Sequence, residues 1–293
     1  MNLLALLAAL LAQHAYPVAP RRRLHAFYGR MCLSVAKRVN AGDRNSGVLG
    51  WAVLVALVVA PVAIATAIAA RIHPVVVWAL DAAVLYATLG FLPTVRALAA
   101  IEKALREEGA AQAANELSRW QGEPVESEDA DGVARIAAEH ALREAHYGTF
   151  GLLFWFLVLP GPVGIVFYPL ALRAARTWEH APEGETRDFG WFAARAFHVI
   201  DWIPQRLSGF VFAVVGNFED ALYCWCMQAA TWSRPEEGIV LASGAGALGV
   251  RLGALGTGEA AREDALASLE GLLWRALVVW LIVFALAAAL HGA

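Results

Sequence analysis

Four polar side chains crowd one aromatic-rich stretch, FGWFAARAFHVIDWIPQR: Arg195, His198, Asp201 and Arg206. Two guanidinium groups so close in sequence can hold a phosphate, because each offers a planar fork of donors, and Asp201 can share in binding magnesium. The same spacing equally suits anchoring at a membrane–water interface, with Trp and Phe beside the charges. Arg251 is the one group able to pair with an anion in the glycine-rich run SGAGALGVRLGALGTG, residues 243–258. That run lacks the lysine of a phosphate-binding G-x-x-x-x-G-K-[ST] loop and reads as a flexible loop near the membrane. Further polar candidates are Asp81, Glu139, Glu219 and Asp220, most of them set among apolar residues.

Other site chemistries find little support. Cys224 and Cys226 form C-W-C rather than a C-x-x-C pair, Cys32 is remote, and all three read as buried apolar thiols. His140 and His146 are six apart, not at the i,i+4 spacing of a helical metal pair, and read as surface or packing residues. The acidic run containing Glu123, Glu126, Glu128, Asp129 and Asp131 has the carboxylates that magnesium accepts, but such loops are usually just solvated. No Ser-His-Asp arrangement is identifiable, so neither a nucleophile nor a metal ligand is assigned.

The elements that must position these residues are those of a membrane protein. Of 293 residues, 59% are hydrophobic and 17% charged, more apolar and less charged than an ordinary soluble domain. So apolar a composition argues against soluble disorder, and the net charge of −3 lacks the positive excess of a general nucleic-acid binder. Residues 48–70 form an uncharged run long enough to cross about 30 Å of hydrocarbon, with Pro61 as a bend. Residues 74–95 make a second crossing that carries Asp81, which must face the protein or a wet cavity, as a structural hydrogen-bonding group or a substrate contact. His73 lies in the tight link between these two. Residues 147–172 read either as a crossing with a broken centre or as two half-helices meeting at LPGPVG. Residues 271–291 make a last span, and 207–233 a crossing or re-entrant element with Glu219 and Asp220 near its middle. The N-terminal MNLLALLAALLAQ reads as a retained helix rather than a cleaved signal. The expectation is four to six spans.

Seven basic residues (Arg21, Arg22, Arg23, Arg30, Lys37, Arg38 and Arg44) occupy the expected loop before the first strong span, against Asp43 alone. This places the loop on the cytoplasmic side. Residues 96–146 predict a polar helical hairpin with a break at Gly109, inserted into a single membrane domain over 1–293. Residues 173–206 predict a polar interfacial segment whose amphipathic helix ends at Pro204. The fold class is therefore all-α: a polytopic integral membrane helical bundle with a polar hairpin and interfacial or re-entrant segments.

Three stretches carry a resemblance. GLLFWFLVLPGPVGIVFYPL, FGWFAARAFHVIDWIPQRLSGFVFAVVG and AGALGVRLGALG resemble, in order, segments of the CobD/CbiB family of cobalamin-biosynthesis membrane proteins. The resemblance implies adenosylcobinamide-phosphate synthase chemistry, in which aminopropanol or its phosphate is joined to the propionate of adenosylcobyric acid. It also implies ATP and Mg2+, with Arg195, Asp201, Arg206 and Arg251 binding charged substrate. The implied partners are the lipid bilayer, the corrinoid and aminopropanol phosphate substrates, and cobalamin-pathway proteins or further copies of the chain, with no nucleic acid. The implied location is the bacterial inner membrane, crossed several times. The sequence departs from the family where an R-D-T-like element and an E-N-T-x-D-G-like run are expected; the second position reads EHALREAHYGT, with Glu139 as its acidic member. IDWIPQRLSGFVFAVVGNFEDAL is also similar to the related AmpE proteins, which leaves a noncatalytic regulatory or signalling reading open.

Overall fold

The computed structural model describes residues 2–16, 20–125, 129–179, 187–232, 235–252, 259–260 and 263–292. Thirteen α-helices account for nearly all of the described structure, with one pair of two-residue parallel strands, β1 (Val250–Arg251) and β2 (Glu259–Ala260). The chain is all-α and divides into two units. One comprises Met1–Leu89, Gly151–Ile203 and Phe284–Ala293; the other comprises Gly90–Phe150 and Pro204–Val283.

In the first unit, α1 (Asn2–Ala15) packs on α4 (Pro74–Thr88). Gln13 Nε2 donates to the carbonyls of Tyr86 and Leu89, both at 2.9 Å, answering acceptors that the end of α4 leaves open. The basic segment expected as a loop is instead a helix, α2 (Pro20–Val39). Its buried Tyr28, Cys32 and Val35 dock on Leu170, Ala174 and Trp178 of α9 (Val163–Glu179), and apolar burial on one face is what overrides a loop. Trp178 Nε1 donates to the Cys32 carbonyl at 3.0 Å. Asp43 caps α3 (Arg44–Ile72), accepting from the Ser46 N–H at 2.9 Å, and α3 runs through Pro61. His73 caps α4, its Nδ1 accepting from Val75 N–H at 3.2 Å.

The second unit begins with α5 (Phe91–Glu107), α6 (Ala110–Gln121) and α7 (Ala130–Ala145). The expected hairpin is thus three helices, because Gly109, at φ 94°, breaks the first arm where the sequence indicated. A π-turn (His146–Phe150) extends α7, and Gly90 N–H donates to the Gly148 carbonyl at 2.8 Å.

From that turn the chain continues as α8 (Gly151–Val158), turns over at residues 159–162, and returns as α9. Of the two readings of residues 147–172, two short helices meeting at LPGPVG is the one found. Prolines withdraw backbone donors there and Gly161 adopts φ 58°. The amphipathic helix does not end at Pro204: α10 spans Arg187–Val215 with Pro204 inside it. The buried stripe Ala193, Phe197, Asp201, Gln205, Ser208 and Phe212 runs past the proline, so packing on both sides offsets one missing hydrogen bond.

Nor do Glu219 and Asp220 lie mid-helix. The chain breaks at Gly216–Asn217, where a Cβ would meet Ala247, and both acids fall in the first turn of α11 (Phe218–Gln228). The front of the glycine-rich run is helix rather than loop. Residues 243–248 end α12 (Pro235–Leu248), where Gly244 lies against Leu142 and Gly246 against the Asp220–Ala221 backbone. Small residues there serve close helix packing. Residues 253–258 of that run lie outside the described residues. Cys224 is buried, but Cys226 is exposed, contrary to its reading as a buried thiol.

Among the described residues, three helical stretches are long and apolar enough to cross a bilayer: Arg44–Ile72, Pro74–Glu107 and Ala265–Leu290, the last within α13 (Glu263–Gly292). The second takes in α4, the interruption at Leu89–Gly90, and α5. The further spans in the expected four to six fall on α1, which is short, and on segments that Pro160–Pro162 and Gly216–Asn217 divide. The chain is a membrane protein of helical build.

Candidate functional site

Each unit holds buried polar side chains. In the first unit, Asp81 on α4 is 2% exposed, and its Oδ1 has no hydrogen-bond partner among the described residues. The LPGP turn lies directly on it: a Cβ at Gly161 would sit 3.4 Å from Asp81 Oδ1, 2.8 Å from Thr66 Cγ2 and 3.7 Å from Thr66 Oγ1. Only glycine combines that φ with that clearance. Thr66 Oγ1 itself donates to the Val62 carbonyl at 2.8 Å. The sequence-indicated acid and the sequence-indicated broken element therefore meet.

Asp201, also buried, accepts a 2.7 Å hydrogen bond from the Tyr168 hydroxyl of α9. Tyr168 is fully enclosed, lying against Gly151 and the Phe197 ring. Arg195 and His198, on the same helix as Asp201, are exposed. Within this unit the helix turns Arg195 about 120° and His198 about 60° away from Asp201, and both emerge at the surface while Asp201 is buried. At the start of α10, Arg44 pairs with Asp188 at 3.3 Å and stacks over Trp191, 5.1 Å from the ring centroid.

The second unit holds a charged centre. Arg143 on α7 donates from Nη2 to Glu139 Oε2 at 3.2 Å, and its Nε lies 3.2 Å from Glu237 Oε2 on α12. The second contact is close enough for charge pairing but is not aligned as a hydrogen bond. The Arg143 side chain is 31% exposed, while the Glu139 and Glu237 side chains are 15% and 9% exposed. One turn on, His146 opens the π-turn and shares a 2.8 Å hydrogen bond between Nδ1 and Ser208 Oγ of α10. Both are buried, as are Thr149 and Gln205, whose Thr149 Oγ1 and Gln205 Oε1 lack partners among the described residues. Single-turn π-bulges occur often at functional sites.

Arg206 is half-buried in this unit. Glu219 and Asp220 are exposed; Asn217 caps their helix, accepting from Asp220 N–H at 3.3 Å and donating to Asp220 Oδ2 at 2.6 Å. The burial of Cys224 raises its thiol pKa, with the Asp220 charge adding to the rise. Arg251 contributes its backbone to β1, while its side chain lies outside the described residues, as do Glu126 and Glu128. No group of three His, Cys, Asp or Glu residues able to hold a metal occurs among the described residues.

Tyr168, Arg143, Ser208 and Glu237 were missed as site residues in the sequence. For Arg143 a signal was present: Glu139, Arg143 and His146 stand at i, i+4 and i+7, one face of a helix. Tyr168 and Ser208 meet their partners only through packing, 33 and 62 residues away, and no local pattern marks them.

The family described as CobD/Cbib protein matches residues 4–268. A Stutzerimonas stutzeri protein named cobalamin biosynthesis protein CobD is 30% identical over 273 residues, 87% of this chain and 88% of the relative. A Chromobacterium violaceum protein of the same name is 36% identical over 206 residues, 70% of this chain and 65% of the relative. Protein AmpE of Shigella flexneri is 36% identical over 75 residues, a quarter of the chain. No solved structure matches. The chain belongs to the CobD/CbiB family.

Proposed function

We propose that this membrane protein performs the amide-forming step of cobalamin biosynthesis, joining aminopropanol or its phosphate to the propionate of adenosylcobyric acid. The observation that carries this reading is the family match over nearly the whole chain, together with the CobD relative aligned along 88% of its own length. The AmpE likeness covers too little of the chain to displace it.

A carboxylate does not acylate an amine at neutral pH, because its oxygen is a poor leaving group. In the proposed sequence a propionate oxygen takes the terminal phosphoryl group of ATP and releases ADP. The substrate amine then attacks the carbonyl, the C–O bond breaks, phosphate leaves, and the amine's proton passes to solvent or a nearby base. ATP and Mg2+ enter as co-substrate. Magnesium is held largely by nucleotide phosphates and water, and it is proposed to arrive with the nucleotide.

Among the chain's own residues, exposed Arg195 and half-buried Arg206 are the cations proposed to meet charged substrate. Asp201, enclosed and engaged by Tyr168, is proposed to act by holding α9 against α10 rather than by touching substrate. Arg251 is retained as a proposed anion contact on sequence grounds. The bacterial inner membrane, crossed several times, is the proposed location.

The test uses the full chain in nanodiscs with adenosylcobyric acid, aminopropanol phosphate, ATP and Mg2+. Amide product is expected. No product, beside an active relative under the same conditions, overturns the synthase reading. If product forms, Arg206→Ala should lower turnover by about ten- to a hundredfold, on the scale of one lost charge-assisted contact.

A further inference from the structure

We infer that the exposed face of α2 lies on the bilayer surface and binds the phosphate headgroups of anionic phospholipids. The inference is independent of the amide-forming reaction.

The helix, PRRRLHAFYGRMCLSVAKRV, contains no acidic residue. Arg23, Arg30 and Lys37 stand at seven-residue intervals, so they form a nearly straight row down one face, drifting about 20° per step. Adjacent cations are about 10 Å apart along the axis. All three are exposed, as is Arg38 beside them, and none of the four has an acidic partner among the described residues. Phe27 and Leu33 flank the row on opposite sides and are 42% and 52% exposed. The opposite face is already occupied: Tyr28, Cys32 and Val35 are buried against α9. Burial accordingly raises the Tyr28 hydroxyl pKa and pushes the Cys32 thiol up to about 11. The cationic face is therefore the one left for a partner.

Three surroundings can be compared. Hydrocarbon would make four cations very costly. Bulk water would suit the cations but leave Phe27 and Leu33 exposed to no purpose. The headgroup zone suits both, since phosphates meet the guanidinium and ammonium groups while flanking apolar side chains reach the acyl boundary. Position agrees with this. After α2 come only Asn40–Asp43 before α3, a helix long and apolar enough to span, and α2 packs against α3 within the unit. Arg44 and Trp191, a pair of the kind that settles at membrane interfaces, stack where α3 begins.

The test places a polarity-sensitive fluorophore on Phe27→Cys, in a Cys226→Ser background that removes the exposed native thiol. The full chain is reconstituted in nanodiscs of phosphatidylcholine alone and of a phosphatidylcholine–phosphatidylglycerol mixture. In the mixture, emission should shift to the blue and quenching by aqueous iodide should fall about threefold or more. The charge-reversed variant Arg30→Glu/Lys37→Glu/Arg38→Glu should lose that difference. The milder Arg30→Gln/Lys37→Gln should lose part of it, with helicity by circular dichroism unchanged in both. Equal quenching in the two lipids overturns the inference, as does an undiminished difference in the charge-reversed variant. Protection that appears only when polyglutamate is added to the phosphatidylcholine discs would assign the face to an acidic macromolecule, and also overturns it.

Discussion

In the first unit the buried acid Asp201 is answered by a hydroxyl, that of Tyr168, while Asp81 Oδ1 has no hydrogen-bond partner among the described residues. In the second unit the enclosed acids Glu139 and Glu237 flank a full positive charge, Arg143. A hydroxyl satisfies one lone pair and fixes direction, but it cancels no charge. An arginine cancels charge and ties two helices, α7 and α12, through one side chain. The consequence differs when the partner is removed. Loss of a hydroxyl takes one hydrogen bond from a carboxylate, whereas loss of arginine removes the positive charge from between two enclosed acids.

The largest expected effect is therefore Arg143→Ala. Breaking a buried ion pair costs about 3–5 kcal/mol, and the 31% exposure of Arg143 reduces this to about 2–4 kcal/mol. Thermal unfolding in nanodiscs would read it, with Arg143→Lys restoring part of the loss. Next comes Tyr168→Phe, which strips the donor from Asp201 without changing shape and should cost about 1–3 kcal/mol in the same assay. If it costs more than Arg143→Ala, the contrast between hydroxyl-answered and arginine-answered acids is broken. Ser208→Ala should cost about 1 kcal/mol, since His146 keeps its packing and loses one hydrogen bond. Hydrogen exchange should then rise locally at the π-turn rather than across the unit.

The smallest effect is at the exposed cap of α3. The Ser46 hydroxyl and N–H hold the Asp43 carboxyl below its ordinary 3.8. A depressed carboxylate contributes stability above its unfolded pKa and loses it as pH falls through the folded value. The Tm difference between the parent protein and Asp43→Ala should thus be constant above about pH 5 and shrink below pH 3.8. A difference that grew on acidification would contradict the cap.

What the sequence made legible follows from the range of each interaction. The apolar runs that became α3, α4 and α13, the break at Gly109 and the half-helices at LPGPVG are local consequences of hydropathy, glycine and proline. Two errors share one cause, the power of tertiary burial over local signals: a basic run became helix α2 because one face packs on α9, and Pro204 failed to end α10 because burial continues on both sides. For the site, Asp81 was marked by its own improbability within an apolar span, and Glu139 by its family position. The groups that answer the buried polar side chains were harder to see. Arg143 obeys helical spacing and was within reach of the pattern. Tyr168 and Ser208 are ordinary residues in their own segments, and only the folded chain brings them to Asp201 and His146.

The central claim, that the chain forms an amide by way of a phosphorylated propionate, is most directly tested by oxygen transfer. Adenosylcobyric acid carrying heavy oxygen in its free propionate would be supplied with ATP, Mg2+ and aminopropanol phosphate to the reconstituted protein, and the products weighed by mass spectrometry. The account predicts one heavy oxygen in the amide product and the other in released phosphate. Amide formed with no heavy oxygen in phosphate, or no amide at all while an active relative makes it, would contradict the account.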